Sequence, residues 1–173
     1  LVLILPFEWF RYFHLAHHRW TNIPGKDPEL AEARPKGAWQ MAKYLSGLPF
    51  WIANVQQLLG AAFGAIQGAY VPPNAMPRIR WEARIMLAVY ILILVAFPIL
   101  IWVWIVPVIV AQPVLRLYLL AEHGDCPQVA NMFENTRTTF TTAVVRFLAW
   151  NMPYHAEHHI YPAVPFHNLS AFH

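Results

Sequence analysis

Apolar and polar positions fall in blocks along this chain, and the blocks predict helices. Phe7 to Trp20 mixes aromatic and polar residues at helical spacing and reads as one helix; its stripe Trp9, Phe10 and Phe13 reads as packing. Thr21 to Pro35 is polar and interrupted by proline and glycine. It reads as a loop with at most one short helix, starting at Asp27-Pro28-Glu29, where Asp caps and Pro suits the first turn. Gly37 to Val71 is mixed. It is amphipathic through Lys43, then uncharged from Leu45 onward but holding Asn54, Gln56, Gln57 and Gln67. Gly60, Gly64 and Gly68 recur every four residues, a spacing that permits close helix packing. Val71 to Arg80 contains Pro72, Pro73 and Pro77 and reads as a turn.

Residues 85–115 carry no formal charge. As one helix they would span about 46 Å at 1.5 Å per residue, more than the roughly 30 Å of a bilayer core. Pro98 lies near their middle. The pattern therefore predicts a membrane hairpin, one helix from about Arg80 to Phe97 and another from about Ile99 to Leu120. Its arginines would snorkel, and Trp81, Trp102 and Trp104 would sit at interfaces. Leu45–Val71 would then lie in the interface or re-enter. One crossing by each of these two segments is the alternative. Gly124 to Thr142 is polar, and Thr141 to Trp150 is short and semi-apolar. Asn151, read as a helix N-cap, and Pro153 open a last helix that Pro162 and Pro165 end.

Composition sharpens this picture. The chain is 173 residues long, 58% hydrophobic and 12% charged, against about 25% charged in ordinary soluble domains. That deficit points to membrane. The net charge of +3 is too small to argue for nucleic acid. Cys126 stands alone, which excludes an internal disulfide and a cysteine-based redox or metal motif. The chain opens inside the apolar run Leu1 to Pro6, which reads as the tail of an earlier membrane helix. We expect a fragment, truncated at the N-terminus and at the C-terminus too.

Histidine carries the chemistry. The pentad His14-Leu15-Ala16-His17-His18 recurs as His155-Ala156-Glu157-His158-His159, and Glu122-His123 adds a seventh imidazole out of nine in the chain. On a helix, positions i, i+3 and i+4 share a face, so each pentad should project three imidazoles from one stripe. A hairpin is an even number of crossings, so all three clusters emerge on one side of the membrane. Seven imidazoles exceed the three ligands and a water of a typical zinc hydrolase and suit two metals with open positions. Iron fits best. An apolar substrate in the membrane offers only C–H bonds, which need O₂ activation at a redox metal. Glu122 and Glu157 are either partners that orient imidazoles or solvated carboxylates. Asp27 reads as a cap, and His167 and His173 as ordinary residues.

The chain resembles the membrane fatty acid desaturase superfamily, the histidine-box diiron enzymes. The likeness runs from residues 10–18 through Asp27-Pro28-Glu29 and Arg116 to His123. It continues in Asn135-Thr136-Arg137-Thr138-Thr139, then Trp150 to His159 and Tyr161 to His167. It covers nearly the whole chain. The resemblance implies that His14, His17, His18, His123, His155, His158 and His159 bind two iron ions, with O₂ as co-substrate. The family's first histidine box has no match here and is expected upstream.

The resulting expectation is a single domain over residues 1–173. It is all-α, with multi-pass membrane helices and a cytoplasmic helical cap that holds the dimetal site. Arg and Lys gather on the histidine side, which places that side in the cytoplasm. The resemblance implies an O₂-dependent desaturase that acts on a fatty acyl lipid and draws electrons from a ferredoxin-like or cytochrome-type donor. Alternatives are a hydroxylase or ketolase acting on alkane, lipid or carotenoid, a non-catalytic metal-binding membrane protein, and a zinc-dependent membrane hydrolase.

Overall fold

The computed structural model describes residues 4–31 and 34–173. Leu1–Leu3, the start of the expected membrane-helix tail, lie outside the described residues. Among those described there are helices and one isolated antiparallel bridge, Thr138 to Tyr154, but no strand. In chain order the helices are α1 Phe7–Trp20, α2 Ala38–Leu45, α3 Leu48–Phe63, α4 Met76–Ala96 and α5 Val106–Val110. They continue with α6 Gln112–His123, α7 Met132–Asn135, α8 Ala143–Leu148, α9 His155–Ile160 and α10 Leu169–Phe172. The chain divides into two compact units, residues 1–15 with 34–116, and residues 16–33 with 117–173.

In the first unit, α3 and α4 share a core of Leu58, Ala61, Ala62, Ile79, Ala83 and Met86, joined by Trp9 of α1, Val71 and Ala75. Three of these are alanines without exposed surface, so the backbones approach closely. Glu82 of α4 caps α1, its two carboxylate oxygens accepting the backbone N–H groups of Phe7 (2.6 Å) and Glu8 (2.9 Å). A charged acceptor there answers both the orphan donors and the positive end of the helix dipole. Trp9 donates its indole N–H to the Gln67 carbonyl at 2.8 Å.

Several expectations need correction here. The glycine spacing does not make a packing stripe. Gly60 lies in α3, Gly64 is the residue that ends it, and Gly68 sits in the following loop at φ 108°. The small residues that bring α3 and α4 together are alanines. The first hairpin helix starts earlier, at Met76, because Pro77 is compatible with a helix's first turn. The second is not continuous. After Pro98 the chain runs through a π-helical stretch, Ile101–Ile105, into α5, then breaks at Ala111 before α6, which continues to His123. Pro107 and Pro113 explain both irregularities, since each lacks an N–H and crowds the carbonyl four residues back. Arg116 does not snorkel. It is buried, its guanidinium 4.3 Å from the Phe50 ring centre and 4.9 Å from that of Tyr44.

Among the described residues no single helix is long and apolar enough to cross a membrane. The pair Pro73–Ala96 and Ile101–Val110 meets the test of length and composition together, bent by 117° at the break around Pro98.

In the second unit, α1 ends in a tight loop. Asn22, at φ 62°, donates its side-chain amide to the carbonyls of Cys126 (3.2 Å) and Pro127 (3.1 Å). Asp27 accepts the Asn22 N–H (2.6 Å) and the Glu29 N–H (2.9 Å), starting the 3₁₀ turn Pro28–Ala31 as expected of a cap. Asn151 is not the N-cap of α9. Tyr154 holds that position, and Trp150 and Asn151 form a left-handed turn before it. Asn suits that conformation because its short polar side chain tolerates positive φ.

Candidate metal centre

Along a helix, steps of three and four residues rotate by about −60° and +40°, so positions i+3 and i+4 diverge by about 100°. The expected single stripe of three imidazoles is therefore two. In α9, His155 and His159 (i, i+4) turn to one side and His158 (i+3) to the other. They meet His17 of α1 and His123 of α6, and the ligand atoms of these four all lie within 4.8 Å of one another. His158 faces His18, ring centres 4.6 Å apart. His14 stands one turn before His18 on α1, stacked on Phe10 at 5.6 Å.

Three rings of the quartet have their outer nitrogen hydrogen-bonded to an oxygen, and the fourth, His155, has a buried Nδ1 with no hydrogen bond among the described residues. His17 Nδ1–H donates to Asp27 Oδ1 at 3.0 Å, and His123 Nδ1–H to the Asn135 carbonyl at 3.2 Å. The Thr21 hydroxyl donates to the His17 carbonyl at 2.7 Å and lies 3.0 Å from His159 Nδ1. Its single proton is committed, so it accepts the His159 Nδ1–H. His155 Nδ1 lies 3.5 Å from Glu122 Oε1. Protonation at Nδ1 puts the lone pair of a neutral imidazole on Nε2.

Those Nε2 atoms converge. His155 Nε2 is 2.9 Å from His123 Nε2 and 3.0 Å from His159 Nε2. Two nitrogens at right angles on one ion, at bonds of about 2.1 Å, lie about 3 Å apart. Facing lone pairs at that spacing repel unless a cation lies between them, so the donor set fits a metal ion.

Burial supports neutral rings. His155, His158 and His159 have pKa values lowered first by loss of water and then by neighbouring histidines. Glu122 is pushed up to about 8, first by burial and then by the charge of Glu29. For Asp27, burial works upward but is outweighed by the hydrogen bond and charge of His17 and by two backbone N–H groups, and the net direction is down. Glu29 Oε2 lies 3.6 Å from His17 Nε2. Glu157 orients no ligating ring. It takes the Thr138 hydroxyl (2.5 Å) and pairs with His173.

A cavity of about 110 Å³ opens beside His155. Its walls include Tyr118, Ala121, Thr141, Val145, Met152 and Pro153.

A model of the fatty acid desaturase family matches residues 1–173. The chain belongs to that family. No curated protein and no solved structure matches it. Membership agrees with the histidine arrangement above and makes the chain an oxidoreductase-family member.

Sequence reasoning missed Thr21 and Asn135 as neighbours of the histidines. Thr21 follows His17 by four, the spacing at which a hydroxyl bonds back to a helix carbonyl, and that is the one local signal it offered. Asn135 lies in the segment 135–139 that carries the resemblance, but its contact with Thr21 spans 114 residues and no local spacing marks it.

Proposed function

We propose that this chain is an O₂-dependent diiron desaturase that introduces a C=C bond into a fatty acyl chain. The observation that carries the reading is the convergence of His17, His123, His155 and His159, all in the second unit, within a desaturase family member. His17, His123, His155 and His159 would hold one iron, and His14, His18 and His158 the other. Bound iron would supply O₂ activation and oxidation of an unactivated C–H bond. The overall balance removes one hydrogen from each of two adjacent carbons. With two electrons and two protons from a donor, O₂ leaves as two waters.

The chain's own residues do the rest. Asp27, Thr21 and the Asn135 carbonyl fix which ring nitrogen is bare. The cavity beside His155 supplies an apolar place for a stretch of acyl chain next to the histidines. Ile91, Leu92 and Val95 of α4, with Trp102, Val103 and Val110 after the bend, leave most of their surface exposed. Apolar surface of that extent belongs against lipid, which supports a membrane hairpin. We place the histidines on the cytoplasmic side, within reach of a ferredoxin-like or cytochrome-type donor, and treat residues 1–173 as one functional domain.

Mass spectrometry of lipids from cells expressing the full-length gene, beside cells carrying His158→Ala, tests this. Acyl chains that lose two hydrogens only with the intact histidine are expected. A histidine-dependent gain of one oxygen would reassign the chain to the hydroxylases. No histidine-dependent change with a competent donor present would sink the fatty-acyl reading.

A further inference from the structure

We propose that Thr21 is a positioning residue of the metal centre: its hydroxyl fixes the tautomer and orientation of His159, while Asn135 anchors the Thr21 backbone carbonyl. The proposal rests on the metal-binding reading above. Thr21 is 1% exposed, so water does not compete for its hydroxyl. The hydroxyl proton goes to the His17 carbonyl at 2.7 Å, with a longer contact of 3.3 Å to that of His18. Only lone pairs then remain toward His159 Nδ1, 3.0 Å away. An acceptor at Nδ1 keeps the proton there and leaves Nε2 bare for a cation. The β-branched threonine has few χ1 choices, and the one that bonds back to the helix also aims its lone pair at the ring.

Asn135 supports the arrangement from the other side. It is 1% exposed and donates its amide to the Thr21 carbonyl at 2.9 Å and the Val129 carbonyl at 2.8 Å. Its own carbonyl accepts His123 Nδ1–H. One residue therefore touches a ligating ring of α6 directly and reaches one of α9 through Thr21. Two ligands distant in sequence are set by one buried pair. A threonine serving only to close α1 would need its carbonyl bond and nothing at His159.

The test is Co²⁺ titration of the purified full-length protein, followed by visible absorption and by competition with a chelator. Thermal unfolding of the metal-free forms serves as a control. Thr21→Val keeps the shape but leaves His159 Nδ1–H without an acceptor. We expect about 10- to 100-fold weaker affinity at one of two sites, the usual cost of losing such a partner, and an altered absorption band. Thr21→Ser keeps the hydroxyl and should restore both. If Thr21→Val does not fold, Thr21→Ala removes the same acceptor with less bulk and should show the same loss. Two Co²⁺ bound by wild type and, with unchanged affinity, by Thr21→Val or Thr21→Ala would overturn the Thr21 role alone. Equal weakening by the serine variant would do so too. No Co²⁺ bound by wild type would overturn the metal reading, and this proposal with it.

Discussion

His155 Nε2 lies between two other imidazole nitrogens, 2.9 Å from His123 Nε2 and 3.0 Å from His159 Nε2. His123 and His159 have their protons held at Nδ1 by the Asn135 carbonyl and the Thr21 hydroxyl. His155 thus meets two bare nitrogens at once. Replacing it should empty one site and spare the other. We expect His155→Ala to lower iron from about two ions per chain to about one, measured by elemental analysis of purified protein. His158→Ala should give the same count but leave the other site filled, so the two variants should differ in spectrum. Unchanged iron in both would remove the basis for two distinct sites.

Asp27 performs two tasks that one substitution separates. Its carboxylate accepts His17 Nδ1–H and also caps a turn through two backbone N–H groups. Asp27→Asn keeps a capping oxygen but removes the charge, and should weaken metal binding about 10- to 100-fold. Asp27→Ala should in addition cost about 1 kcal/mol of stability for the lost cap. The carboxyl's pKa is held below its ordinary value of 3.8. Its contribution to folding is therefore present above about pH 4 and lost as pH falls through the lower folded-state value. Chemical unfolding should show wild type and Asp27→Asn differing at pH 7 and converging only in strong acid.

What could be read from the sequence depended on range. The extent of α1 followed from local periodicity, since its aromatic stripe and its polar end are both visible within fourteen residues. Six of the seven candidate histidines stood out because two pentads repeat one spacing, and His123 stood out through Glu122 beside it and the family resemblance. Their division into two sets was not anticipated, because a stripe argument treats i+3 and i+4 as one face while the rings diverge by about 100°. The glycines at 60, 64 and 68 misled for a related reason. Spacing alone does not say where a helix stops, and α3 stops at Phe63. The contact of Thr21 with His159 spans 138 positions and that of Asn135 with Thr21 spans 114, which no local pattern records.

The buried rings also fix a pH dependence for the metal-free protein. His155, His158 and His159 have folded-state pKa values below the ordinary 6.5. Below that value the unfolded chain takes up protons that these rings refuse in the fold, so their contribution is complete above about pH 6.5 and is lost as pH drops. Glu122, pushed up to about 8, works in the opposite sense by taking up a proton in the fold. Melting of the metal-free Glu122→Gln variant, in which that opposing titration is gone, should shift to lower temperature between about pH 7.5 and 5.5. Bound metal should oppose the shift near neutrality and lose its effect as protons compete for the same nitrogens. A melting temperature of that variant flat across this range would show that the rings are not held neutral by burial.

The cavity beside His155 gives the last prediction. Met152 and Val145 face a space of about 110 Å³ that also touches His155. If an acyl segment occupies it during turnover, its shape helps decide which carbons reach the histidines. Met152→Trp would fill it and Met152→Ala would enlarge it. Met152 is not one of the candidate ligands, so iron content should stay at the wild-type level. We expect Met152→Trp to lower product formation by at least about tenfold, the cost of about 1.4 kcal/mol in transition-state binding. Met152→Ala should instead move the double bond or the preferred chain length. Product mapping by mass spectrometry, beside iron analysis of the same preparations, separates the outcomes. Lost iron would mean that Met152 supports the fold of the site, and unchanged products from both variants would place the substrate elsewhere.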